Sequence, residues 1–130
     1  MKQEDKELFL KDLCARLPYG VKIHIKGEYN KSHQINSINV EDEYVSFFEN
    51  WHLYDENLNN CKLYLRSMSS MTKEEEEEYN NIDNRAYSCP KDYAHIPAKD
   101  RIDWLLKNHF DFRGLIPKGL AFEAPEGMYK

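Results

Sequence analysis

The chain is poor in the residues that mark the easily recognised protein classes. It has three cysteines in 130 residues, Cys14, Cys61 and Cys89, and no C-x-x-C pair. An odd number without that spacing supplies neither a complete disulfide framework nor a structural zinc pattern, and it suits a reducing compartment. Glycine is equally sparse, with five residues scattered along the chain. There is no Gly-rich phosphate loop and no dinucleotide fingerprint, and the H-E-x-x-H and G-x-S-x-G signatures are also missing. No apolar run approaches the roughly 20 residues that span a bilayer. The opening MKQEDKELFLKDL is charged throughout, unlike a signal peptide. These absences lead us to expect a cytoplasmic protein with no membrane segment, no metal and no cofactor.

Positive charge is also in deficit. Lys and Arg number 18 against 23 Asp and Glu, for a formal net charge of −5. That balance disfavours non-specific nucleic-acid binding, which rewards excess cations. The excess is local, however, because Glu74 to Glu78 form one run of five, as many as the whole net charge. A basic face elsewhere therefore remains compatible with the composition.

Aromatics are plentiful, with nine Tyr, six Phe and two Trp, so one ordinary core is within reach of a chain this long. Leu8, Phe9, Leu13 and Leu17 recur at helical spacing, with Lys6, Lys11, Asp12 and Arg16 directed elsewhere, and Pro18-Tyr19-Gly20 stops the pattern. The period then changes to two: Val21, Ile23 and Ile25 alternate with Lys22, His24 and Lys26. Further strands are expected near Ile35–Val40, over one long segment Tyr44–Tyr54, and over Cys61–Arg66. Thr72 and Glu75 form a capping box ahead of a helix over 73–84, residues 87–96 read as a loop, and Pro97 opens a third helix. Ile102, Leu105, Leu106, His109 and Phe110 make that helix's stripe, and an irregular apolar tail follows Gly114. The expected fold class is α+β in a single domain over 1–130. A helix and a four-stranded antiparallel meander able to curl into a small barrel occupy 1–71, and two helices and the tail occupy 72–130.

Several groups are candidates for chemistry. In NHFDFR, His109, Asp111 and Arg113 alternate with two phenylalanines. Asp111 orienting His109 as a base, with Arg113 holding an anion, would suit a small hydrolase or lyase. Against this, His109 continues the helical stripe, and Asp111 with Arg113 would equally pin the tail. Cys89 with His95 is a second nucleophile–base pairing, without a supporting local signature. Lys22, His24 and Lys26 would share one sheet face and, with Arg66 and exposed tyrosines, would suit single-stranded nucleic acid. Glu74, Glu75 and Glu76 open the acidic run, which reads as a solvated helix face or a contact for a basic partner. Trp104 lies about 200° from Ile102 around the third helix, away from its stripe, and is a candidate anchor for a partner. Trp51, next to His52 and Tyr54, reads as the rim of the core. Cys14 falls near the first helix's stripe and Cys61 opens a strand, so both read as small hydrophobes.

Three blocks carry a resemblance: KDLCARLPYGVK (Lys11–Lys22), YLRSMSSMTKEE (Tyr64–Glu75) and DWLLKNHFDFRGLIPKGLAFEAPEGMY (Asp103–Tyr129), about 50 of the 130 residues. They resemble a family of small proteins from gut anaerobic bacteria, found near phage and other mobile elements and without an assigned activity. The family has proline where this chain has Ser67. The resemblance implies a cytosolic setting and a mobile-element origin, and no reaction. The expected function is a non-enzymatic protein-interaction module, an accessory protein acting on a host factor, with a protein as partner and nucleic acid disfavoured by charge. The hydrolase or lyase and the nucleic-acid binder stand as alternatives, and composition carries no information on oligomeric state.

Overall fold

In a computed structural model, residues 1–88 and 95–129 are described, together with their side chains except those of 83–88 and 95–97. Helix α1 runs Gln3–Arg16, where the apolar spacing places it, and a 3-10 turn over Leu17–Tyr19 ends at Gly20. Gly20 has φ +72°, a left-handed angle that glycine adopts without steric cost. The inward residues of α1 are Phe9, Asp12, Leu13 and Arg16. Asp12 and Arg16 were expected to point away from the core and instead are fully buried. The helix is covered on two sides, by the sheet and by the chain's last segment, so a polar strip is enclosed along with the apolar one.

Six strands form one curled half-barrel: β1 (Lys22–Ile25), β2 (His33–Asn39), β3 (Tyr44–Glu49), β4 (His52–Asn57), β5 (Cys61–Leu65) and β6 (Ala121–Glu123). Their order is β4-β3-β2-β1-β5-β6. The pairs are antiparallel except β5–β6, which is parallel. A shift of register between Ile35 and Ser37 marks a bulge in β2, the kind of irregularity that bends a sheet toward closure.

The four-stranded expectation thus changes in two places. The single long strand over Tyr44–Tyr54 is a hairpin of β3 and β4, reversed at Asn50-Trp51. The tail, expected to be irregular, adds β6 beside β5. The mixed sheet, the leading helix and the two later helices, α2 (Lys73–Ser88) and α3 (His95–Lys107), make the fold α+β. Alternation fills its core: Ile23, Ile25, Ile35, Val45, Phe47, Cys61, Leu63 and Leu65 point inward onto Phe9 and Leu13 of α1. Leu115, Leu120 and Ala121 of the tail complete the same cluster. Each such aliphatic side chain is worth about 1.5–3 kcal/mol when fully buried.

The capping box forms as expected. Glu75 N donates to Thr72 Oγ1 at 3.2 Å, and Thr72 N donates to Glu75 Oε1 at 3.0 Å. α2 extends beyond the expected end at 84, and α3 starts at His95, so Pro97 falls in its first turn. No helix among the described residues is long and apolar enough to cross a membrane.

Candidate functional site

Three regions gather the candidate residues. The first is the end of α3, where His109 occupies a left-handed position with φ +63°. His109 N donates to Leu106 O at 3.1 Å and Phe110 N donates to Leu105 O at 2.9 Å. These two bonds are those of a Schellman cap, in which glycine usually holds the place His109 takes. The imidazole is buried and stacks on Tyr129, with ring centroids 3.6 Å apart and 17° between planes. Its Nδ1 has no hydrogen-bond partner among the described residues. Burial, reinforced by the positive charges of Arg16, Arg66 and Lys22, pushes its pKa down to about 4. At neutral pH the ring is uncharged.

Asp111 does not face His109 as an acid–base partner. Its carboxylate accepts from the backbone N–H of Leu115 at 2.8 Å and of Ile116 at 2.9 Å, which caps the turn that starts the tail. Arg113 reaches back to α1 and donates to Asp12 Oδ1 at 3.0 Å. Asp12 also receives Arg16 Nε at 2.6 Å, and Arg16 Nη2 donates to Phe110 O at 2.6 Å. His109, Asp111 and Arg113 therefore lie within five residues of one another, yet each serves a different structural bond. Phe110 forms an isolated parallel bridge with Arg66, through Arg66 N to His109 O and Asp111 N to Arg66 O, both at 2.8 Å. Tyr129 completes the region: its hydroxyl accepts from Lys22 N at 2.9 Å and donates to Tyr64 O at 2.7 Å.

Trp104 belongs to this helical region as well. Its ring stacks on Phe110 at 5.6 Å and 16°, lies 5.6 Å from Tyr79 of α2, and its Nε1 donates to Glu78 at 3.1 Å. Ile102, expected on the apolar stripe, is exposed in its stead. Among the acidic candidates, Glu75 is held by a bidentate pair from Arg66 at 2.7 and 2.6 Å. Those bonds, joined by the Thr72 backbone N–H, push its carboxyl down to about 2 against the opposing effect of burial. Glu74 and Glu76 are exposed. Glu74 lines an open cleft of about 700 Å³ with Arg66, Glu123, Glu126 and Tyr129.

The second region is the outer face of β1, β5 and β6. His24 and Lys62 stand directly opposite each other, as do Tyr64 and Phe122. The His24 ring meets Phe122 edge-on at 5.1 Å and Tyr64 edge-on at 6.1 Å, and Lys62 Nζ sits 4.7 Å over the Phe122 ring. A cleft of about 370 Å³ opens here, lined by His24, Lys26, Gly27, Asn59, Asn60, Lys62 and Phe122. Lys22 shares the strand but is drawn to the tail, donating to Met128 O at 3.2 Å. Lys62 and Phe122 were not among the expected site residues. The alternation of CKLYL places Lys62 on the outer face, whereas a strand of three residues leaves too short a pattern to place Phe122.

The third region is the β3–β4 hairpin. Glu49 and His52 are the last pair of the ladder, so the turn has only two residues. Asn50 has φ +51° and Trp51 φ +69°. Such turns favour Asn-Gly because both positions are left-handed. Trp51 is 98% exposed, not part of the core rim. Next to it, Phe48 and Leu53 form a directly opposed pair on the outer face, 58% and 54% exposed. Strand β4 is the edge of the sheet, with one side unpaired.

Of the cysteines, Cys14 is exposed, contrary to its expected place on the stripe, and Cys61 is buried with its thiol pushed up to about 12, chiefly by burial. The pair Cys89 and His95 lies outside the described residues and side chains. Among the described residues, no three His, Cys, Asp or Glu side chains gather in a way that would hold a metal ion. No protein-family model, curated protein or solved structure matches this chain.

Proposed function

We propose that the chain is a non-enzymatic protein-binding module that engages its partner through the β3–β4 hairpin. The observation that carries this reading is Trp51, a fully exposed indole on a left-handed backbone. A non-glycine residue there costs about 1–2 kcal/mol, and the indole, 98% exposed, packs against none of the described residues to offset it. Phe48 and Leu53 extend the apolar tip, which favours an interaction surface because large exposed apolar groups in one patch are uncommon on a monomer. Tryptophan is also enriched among residues that dominate binding energy. Glu49, in the last pair of the ladder, is the acid nearest the tip and is paired with Lys31 at 3.2 Å, so the complementary partner carries an apolar groove. The resemblance to proteins of mobile elements adds a setting, that of an accessory protein acting on a host factor.

The test compares tagged wild type with Trp51→Gly and Lys62→Ala in capture from the native host, with sedimentation of each pure protein alongside. Trp51→Gly keeps the turn and removes the indole. A stoichiometric protein held by wild type and Lys62→Ala, and released by Trp51→Gly, supports the hairpin. A partner held equally by all three, or by none, overturns it. Self-association abolished by Trp51→Gly would make the partner a second copy of this chain.

A further inference from the structure

The outer face of β1, β5 and β6 combines features that the hairpin reading leaves unused. The chain carries a net charge of −5, yet the residues lining the cleft at this face include two lysines, a histidine, two asparagine amides and no carboxylate. Among the described residues, neither Lys26 nor Lys62 makes an ion pair. Asn60 Nδ2 donates to Glu56 at 2.8 Å. Beside the lysines lies an aromatic surface: Phe122, 41% exposed on an edge strand, with Tyr64 opposite it and His24 set edge-on to both. The His24 ring stands at 87° to both of the others. Lys62 Nζ lies over one face of Phe122 at 4.7 Å, so a base that stacks on that face displaces the ammonium toward the adjoining phosphate.

We infer that this face binds single-stranded nucleic acid, with a base stacked on Phe122 and adjacent phosphates met by Lys26 and Lys62. Stacking platforms flanked by cations hold single strands with little regard to sequence, since every base has a π-face. A duplex hides its bases and would lose the aromatic part of the contact. Lys22, expected to take part, is drawn away by Met128 O, and Lys62 takes its place. Because this face is separate from the hairpin, the two proposals stand or fall independently.

The experiment is fluorescence anisotropy of a short labelled thymidine oligonucleotide titrated with the intact chain. Wild type should bind saturably at about 50 mM salt and weaken with a log–log slope of about −1.4, the value for two phosphates on a single strand. Phe122→Ala should weaken binding roughly 5- to 150-fold, the range for losing one stacked base. The double change Lys26→Ala with Lys62→Ala should weaken binding and flatten the slope toward zero. Trp51→Gly should bind as wild type does. Circular dichroism confirms that each variant keeps its fold. Absence of binding at about 50 mM salt, or equal binding by Phe122→Ala, overturns the proposal. So does a duplex that binds as tightly as the single strand, which would reduce the face to an unspecific polyanion surface.

Discussion

His109 and Trp51 stand in the same backbone conformation and in opposite circumstances. Both are bulky residues at left-handed angles, φ +63° and φ +69°, in places where glycine is the usual choice. His109 is repaid inside the molecule: its ring stacks on Tyr129, and its carbonyl accepts from Arg66 N. Trp51 receives nothing of the kind, being 98% exposed at the tip of a hairpin. Strain that is offset by internal contacts is part of holding the fold. Strain without such contacts directs attention outward, to something the molecule meets.

The largest effect that tests this contrast lies in the ion cluster that ties the His109 region to α1. Asp12→Ala leaves Arg16 buried and takes from Arg113 the carboxylate to which it donates, so stability should fall by about 3–5 kcal/mol in urea titration. A change of less than about 1 kcal/mol would show that the cluster does not anchor the tail.

A pH series gives the next largest effect. His109 has an ordinary value of 6.5 and a folded value of about 4. Between those limits the unfolded chain takes up a proton that the folded chain refuses, so stability declines as pH drops from 6.5 to 4 and no further below it. The decline should amount to roughly 3 kcal/mol. His109→Gln should flatten it. Glu75 acts in a lower window: its stabilisation is present above 4.5 and is lost as pH falls toward 2, and Glu75→Gln should remove that part alone. A pH profile unchanged by His109→Gln would mean that the ring is hydrated in solution.

Two glycine substitutions complete the comparison with the smallest effects. His109→Gly relieves a strain of about 1 kcal/mol but forfeits the stacked ring, for a net loss of about 1–2 kcal/mol. Trp51→Gly relieves a similar strain and forfeits no internal contact, for a gain of about 1 kcal/mol in thermal or urea melts. If both substitutions destabilise, Trp51 has a structural role and the contrast fails.

Much of the fold was legible because periodicity is strong where one face is buried. α1, the alternation of β1 and β5, and the Thr72–Glu75 box appear where the pattern places them. The hairpin was hidden because Asn50-Trp51 lacks the glycine that signals a two-residue turn, so β3 and β4 read as one strand. β6 has three residues, too few to show a period, and its pairing with β5 depends on chain far away in sequence. Asp12 and Arg16 misled for a different reason, since polarity alone does not reveal a buried pair whose partners come from another segment. The same limit misplaced both tryptophans: helical spacing set Trp104 outside, whereas it is half-buried against Tyr79 and Phe110. His24 was legible on the sheet face, whereas Lys26, expected there too, falls in the turn just after β1, and Lys62 and Phe122 needed the register to join them.

Tyr129 joins places far apart along the chain, bonding to Lys22 and Tyr64 across 107 and 65 positions. During synthesis the first strands would emerge long before the residue that closes them. Until that residue arrives, the β1–β5 region lacks its last hydrogen bonds and His109 lacks its stacking partner. Closing loops of that span is slow, so folding should be a late, nearly all-or-none event. The emerging chain would meanwhile carry an open sheet, a state exposed to mispairing and to capture by chaperones.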